Sequence, residues 1–155
     1  MNSRTARVIT ASNRAATGVY ADRSGPVIVA WLRERGYQCP ESAVVPDGDP
    51  VGGALRAAVA DGADVVITTG GTGISPTDAT PEVTRALLDY EVPGLADAIR
   101  AAGAPAVPTA VLSRGLSGVV GRTDRVGEAR DLVVEQRPGD FRRGVGGGDA
   151  GTAGR

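Results

Sequence analysis

A chain of 155 residues that is 41% hydrophobic and 23% charged, with a net charge of −1, has the composition of one globular domain and no basic excess for nucleic acid. All 17 basic residues are arginine and there is no histidine, which excludes Ser-His-Asp triads, Cys-His pairs, histidine metal ligands, Schiff-base lysines and the P-loop lysine. The one cysteine, Cys39, excludes a disulfide framework and a cysteine zinc site, so chemistry falls to carboxylates, hydroxyls, backbone amides, arginine or a borrowed metal ion.

The start of the chain lacks a charged segment followed by an apolar one, and no apolar run approaches the ~20 residues of a membrane span. A cytoplasmic protein with no membrane partner and a reduced cysteine is expected. Arg7–Ala11 reads as the first strand, followed by a polar loop from Ser12 to Ser24. Ser24-Gly25-Pro26 opens a helix in which Val27 and Trp31, then Ile28 and Leu32, share a face, and Gly36 closes it. Ala43-Val44-Val45 is a second strand. Asp49 is placed to cap the next helix, with Pro50 at its first position and Val51, Leu55, Ala58 and Val59 on its apolar face.

Asp64–Thr69 carries consecutive β-branched residues, the pattern of a strand buried on both faces of a parallel sheet. A glycine-rich loop follows. Thr80-Pro81-Glu82 then starts a helix with Val83, Ala86, Leu87 and Tyr90 spaced for burial. Trp31, Tyr90 and Cys39 read as structural. Leu95–Ala102 is a further helix, and Thr109–Ser113 reads as the fourth strand. This alternation predicts a three-layer α/β/α sandwich with a mostly parallel sheet. The domain is expected over residues 1–123. Residues 124–155 read as a divergent tail, with a short strand at Leu132-Val133-Val134 and a glycine-rich, disordered end from Gly144 to Arg155.

Ligands of open α/β sheets bind beyond the carboxyl ends of the strands. Three polar clusters fall there: Ser12-Asn13-Arg14, Asp47-Gly48-Asp49 and Thr69-Gly70-Gly71-Thr72-Gly73-Ile74-Ser75-Pro76-Thr77-Asp78. Glycines let backbone amides approach an anion, and Ser75, Thr77 and Thr80 add hydroxyls. The loop lacks both the Gly-Lys-Ser/Thr ending of a P-loop and the third glycine of the dinucleotide fingerprint. Asp47 and Asp78 could together bind Mg²⁺ beside a substrate phosphate, although aspartate is also common in turns. Arg14 and Arg114 follow strand ends and could supply positive charge to phosphate; each also reads as a surface arginine.

Val66-Ile67-Thr68-Thr69-Gly70-Gly71-Thr72-Gly73 with Asp78 resembles the signature of the molybdopterin-binding family of MogA, MoaB and the gephyrin G domain. Ser12-Asn13-Arg14-Ala15 with Gly18-Val19-Tyr20 resembles its first loop, and Val45-Pro46-Asp47 its second. Asp78-Ala79-Thr80-Pro81-Glu82, Pro93-Gly94, Val107–Gly115 and Gly121-Arg122-Thr123 follow in the family's order. The resemblance implies the three-layer fold, a homotrimer and, in MogA-type members, adenylylation of molybdopterin by ATP with Mg²⁺, releasing pyrophosphate. By position, Asp47 and Asp78 match the family's catalytic aspartates. Substrate binding falls to Ser12, Asn13, Arg14, Thr69, Gly70, Gly71, Thr72, Gly73, Ser75, Ser113 and Arg114. Asn13 stands where many members have aspartate. The spacing alone assigns no metal ligand.

The reaction suits a chain without histidine or lysine, because a phosphate near pH 7 is already ionised, its second pKa being about 6. From Asp124 the chain departs from the family's pattern of an apolar strand, a Pro-Gly turn and a closing helix. Its nearest echo is Leu132–Gly139. A shifted reading frame or a degraded copy would give that change. The alternatives are therefore a MoaB-type binder without transferase activity and a non-functional product; retention of both aspartates favours the enzyme over the binder, and the altered tail favours the non-functional product.

Overall fold

The computed structural model describes residues 3–121 and, as backbone, residues 132–136. Strand alternation builds its core. In β1 (Ala6–Ala11), Ala6 and Val8 pack with Ile28, Val29 and Leu32 of α2, while Ile9 and Ala11 pack with Val51, Leu55 and Ala58 of α3. The two helices span Ser24–Glu34 and Asp49–Ala60. In β3 (Val65–Thr69), Ile67 joins the α2 cluster and the adjacent Val66 the α3 cluster. The sheet is thus covered on both faces, and the three-layer α/β sandwich is the observed fold.

The sheet has six strands in the order β2-β1-β3-β6-β5-β4, with β2 at Ala43–Val45, β4 at Tyr90–Glu91, β5 at Ser117–Val119 and β6 at Leu132–Gln136. β1 pairs in parallel with β2 and β3, and β3 with β6; β5 runs antiparallel to both β6 and β4. The strand at Leu132–Gln136 therefore lies inside the sheet. Registers of Ala11 with Val45 and of Thr10 with Thr69 bring the carboxyl ends of β1, β2 and β3 level, so their loops emerge at one rim. Residues 122–131 and 137–155, with the predicted disorder of the glycine-rich end, lie outside the described residues. No helix among the described residues is long and apolar enough to cross a membrane.

Several local expectations are corrected. Thr109–Ser113 is not a strand: Pro108–Leu112 forms a 3₁₀ helix, in which Pro108, lacking an N–H, suits the first turn. The strand comes later, at Ser117–Val119. Tyr90 does not end a buried helix face. α4 is Thr80–Arg85, and Tyr90 opens the edge strand β4, 54% exposed. Ala86 and Val27 are also exposed. Gly48, not Asp49, is the N-cap of α3, because its φ of +88° turns the chain into the helix and leaves Asp49 in the first turn. The loop after β1 contains a short helix, α1 (Asn13–Ala16), and α5 spans Pro93–Gly103.

Cys39 is buried against Ile28, Leu32 and Ile67. Burial pushes its thiol pKa up, although Arg33 and Arg7 pull it down. Since the thiolate is the reactive form, alkylation of the native protein at neutral pH should be slow and should accelerate in denaturant. Equal rates in both states would contradict this burial.

Candidate active site

The first loop is tied at both ends. The Ser12 amide donates to the Val45 carbonyl (2.9 Å), and Ser12 Oγ accepts from the Ala15 amide (3.2 Å), capping α1. The chain turns at Gly18, and the Tyr20 hydroxyl returns to within 3.2 Å of Ser12 Oγ. Asn13 Oδ1 accepts from the Asp47 amide (3.0 Å), joining the first loop to the second. An aspartate at 13 would offer the same acceptor, which accounts for the exchange at this position. Asp22 closes the base of the loop, with Oδ2 accepting from Thr10 and Ser42 and Oδ1 from the Ser24 and Gly25 amides.

Asp47 links the second loop to the glycine loop. Its Oδ1 accepts from the Gly48 amide (2.7 Å), the Ala79 amide (3.3 Å) and Thr80 Oγ1 (3.3 Å). The Thr80 amide donates to the Gly71 carbonyl (3.2 Å). A Cβ on Gly71 would overlap Thr80 Oγ1 and lie 2.6 Å from Asp47 Oδ2, so the backbone passes where only glycine fits. Thr80, expected in a helix cap, is thus turned toward Asp47, and Ala79 is the N-cap residue of α4.

The glycine loop leaves β3 through buried Thr69, with Gly70 at φ +94° and Gly71 at φ +67°. Asp78 folds its end back: Oδ2 accepts from the Ser75 amide (3.1 Å), and its own amide donates to the Ser75 carbonyl (3.0 Å). Ser75 Oγ lies 3.1 Å from Thr77 Oγ1. The amides of Gly71, Thr72, Gly73 and Ile74 have no acceptor among the described residues, leaving a run of N–H donors for an anion.

Arg114 spans this loop. Its amide donates to the Thr72 carbonyl (2.8 Å), Nε to the Gly73 carbonyl (2.8 Å) and one terminal nitrogen to the Asp78 carbonyl (2.6 Å). The other terminal nitrogen pairs with Glu82 Oε1. Ser113 Oγ donates to Thr72 Oγ1 (3.4 Å), and Arg100 holds the Ser113 and Gly115 carbonyls. The structure therefore brings Ser12, Asn13, Asp47, Thr69–Gly73, Ser75, Asp78, Ser113 and Arg114 together at the rim. Arg14 stands apart on α1, exposed, with no side-chain partner among the described residues. The Thr80 hydroxyl, expected among the anion donors, is bonded to Asp47, and Glu82 was hidden by a helix-start motif. The signal for Asp22 was its position just before Ser24-Gly25, where a carboxylate accepts amide hydrogens at a helix N-terminus.

The hydrogen bond from Arg114 holds the Glu82 carboxyl below its ordinary value of 4.5. A lowered native pKa stabilises the fold above the unfolded value, and that contribution disappears as pH falls through the native value. Glu82→Gln should therefore lower stability at neutral pH, with the gap to wild type closing below pH 4.5. Denaturation curves measured down to about pH 3 check this, and a constant gap would contradict it.

Asp47 Oδ2 and Asp78 Oδ1 accept no hydrogen bond among the described residues. The described residues contain no group of three or more His, Cys, Asp and Glu suited to a metal. Asp47 Oδ2 and Asp78 Oδ1 are the carboxylate oxygens that would hold Mg²⁺, which keeps waters and takes substrate phosphate as ligand rather than filling an all-protein cage.

The model of the family described as "Probable molybdopterin binding domain" matches residues 7–134. The chain belongs to this molybdopterin-binding family. It is 39% identical over 112 residues to a Haemophilus influenzae protein named molybdopterin adenylyltransferase, an overlap of 69% of this chain and 56% of the relative. The chain thus spans little more than half the length of that relative. Among solved members, the molybdopterin biosynthesis Mog protein of Mycobacterium ulcerans is 55% identical with TM-score 0.80, covering 90% of this chain and 88% of that one. The MoaB protein of Thermus thermophilus is 37% identical with TM-score 0.74, covering 86% and 80%. The family match runs from β1 into β6, so it takes in every rim loop described above.

Proposed function

We propose that this chain is a molybdopterin adenylyltransferase of molybdenum cofactor biosynthesis. The terminal phosphate of molybdopterin attacks the α-phosphorus of ATP; a new P–O–P bond forms and pyrophosphate leaves. The observation that carries this reading is the knot of Asp47, Gly71, Ala79 and Thr80, which ties the loops bearing the two aspartates to the donor-rich glycine loop. The Gly71–Ile74 amides receive phosphate oxygens, and the hydroxyls of Ser12 and Ser75 orient the substrate at the rim. The nucleophile is already an anion, so the chain need not remove a proton; its work is alignment and stabilisation of negative charge. Asp47 and Asp78 would hold Mg²⁺, which when bound supplies neutralisation of charge on the transferring phosphoryl group.

A MoaB-type role, binding without transfer, is the second reading, favoured by the similarity to the Thermus thermophilus MoaB protein. Turnover separates the two. Purified protein with molybdopterin, ATP and Mg²⁺ should yield adenylyl-molybdopterin by mass, and EDTA should abolish the product while sparing pterin binding. Pterin binding without product would establish the second reading; product unaffected by EDTA would remove Mg²⁺ from the proposal. A homotrimer belongs to the same proposal, supported by exposed Ile74, Val111 and Leu112 on segments flanking the Arg114 contacts, and a sizing column checks it.

A further inference from the structure

Arg114 was expected to offer its charge to a phosphate. Its geometry favours a different role. One planar guanidinium reaches three separate points: the Gly73 carbonyl where the loop begins, the Asp78 carbonyl where it ends, and Glu82 on the first turn of α4. The base of the side chain is fixed as well, because the Arg114 amide is bonded to the Thr72 carbonyl and Arg100 holds the carbonyls on either side. The guanidinium charge is matched by Glu82, so the pair brings no net positive charge to the rim. Three of its five N–H donors, one on each nitrogen, are directed at two backbone carbonyls and a carboxylate.

We infer that Arg114 and Glu82 are positioning residues that clamp the Gly73–Asp78 loop closed, acting on substrate only through that loop. The inference rests on the adenylyl-transfer reading for its catalytic consequence, but the clamp itself is a statement about the loop. A rigid fork can hold both ends of a loop at fixed separation, whereas a lysine, being a point charge on a flexible stem, cannot. The clamp sets where the Asp78 carboxylate and the loop amides stand relative to a bound phosphate. Small errors in such placement are expensive in rate.

The two roles for Arg114 predict opposite behaviour of Glu82. A clamp loses function when either partner is changed. A phosphate-binding arginine would be released by Glu82→Gln and would bind no worse. Arg114→Lys and Glu82→Gln should therefore both lower kcat about 10- to 100-fold with KM for molybdopterin changed less than about 3-fold. Glu82→Asp should recover part of the loss. Hydrogen exchange of the native full chain supplies a readout independent of turnover. The hydrogen-bonded amides of Ser75, Asp78 and Ala79 should exchange about 10-fold faster or more in both variants, with the amides of β1 and β3 unchanged. Unchanged exchange in the loop overturns the clamp whether or not the protein adenylylates anything. A raised KM in Arg114→Lys with Glu82→Gln at wild-type rate would overturn it in favour of direct phosphate binding. If wild type forms no product while loop exchange responds as stated, the adenylyl-transfer reading fails and the clamp stands.

Discussion

Asp78→Asn is expected to lower turnover roughly 10²- to 10³-fold while leaving pterin binding within a few-fold, the scale on which loss of one transition-state group is felt in enzymes. The substitution is nearly isosteric. One carboxylate oxygen accepts from the Ser75 amide, and the asparagine carbonyl can take that bond, so the turn from Ser75 to Asp78 survives. The other oxygen has no partner among the described residues, and there the amide group replaces a negative charge with N–H donors. A loss confined to kcat follows if that oxygen acts on the reacting phosphates or on Mg²⁺ between them. Stopped-flow or steady-state assays with parallel binding titrations measure the split. Normal turnover would remove Asp78 from the catalytic assignment; loss of binding alone would make it a substrate ligand. Asp47 offers a less clean test. Its Oδ1 supports three donors on two elements, so replacing the side chain would disturb the rim before any question of chemistry arose.

The second large effect is on the fold. Gly70→Ala places a Cβ onto the Ala11 carbonyl oxygen at a φ of +94°. Ala11 ends the strand β1, paired with Val45, and its backbone cannot yield without moving that strand. Left-handed strain of about 1–2 kcal/mol and overpacking of about 1–3 kcal/mol add to a loss of roughly 2–5 kcal/mol. Against a typical domain stability of ~5–15 kcal/mol this is a large fraction. Urea unfolding at neutral pH measures it. Gly53→Ala is the control: Gly53 lies within α3, and its added Cβ meets open space, so a gain of about 0.5–1 kcal/mol is expected. Equal stability of the two variants would contradict the close approach of the glycine loop to β1.

The elements that the sequence made legible are those with a strong period. Val66 and Ile67 read as a strand buried on both faces, and they enter opposite apolar clusters. Ile28 with Leu32, and Val51 with Leu55, mark α2 and α3 by spacing, and those side chains are buried. The misread segments lack such redundancy. Val111 and Leu112 look like strand residues, yet Pro108 favours a helical first turn and both side chains face solvent. Ser117–Val119 contains glycine at its centre, which gives no strand signal, and it pairs as a strand because β6 and β4 flank it. Tyr90 keeps a helical interval from Val83 but falls after the helix has ended.

At the rim, the residue types were legible and their connections were not. Glycine, serine and aspartate after strand ends point to a phosphate site by chemistry alone. That Asp47 would hold Thr80 and the Ala79 amide depends on how α4 docks against the second loop. That Arg114 would face the Gly73 and Asp78 carbonyls depends on the 3₁₀ helix bringing Ser113 beside Thr72. Neither contact has a local sequence pattern.

In the proposed reaction a phosphate oxygen of the pterin takes the adenylyl group of ATP at the Asp47/Asp78 rim. Label transfer tests it most directly: the protein, molybdopterin and Mg²⁺ are mixed with ATP labelled at the α-phosphate, and in a parallel reaction at the γ-phosphate. The α-label is expected in the pterin product and the γ-label in pyrophosphate, with both transfers lost in Asp78→Asn. Recovery of γ-label in the pterin, or of α-label only in unreacted ATP from a folded, pterin-bound protein, would contradict it.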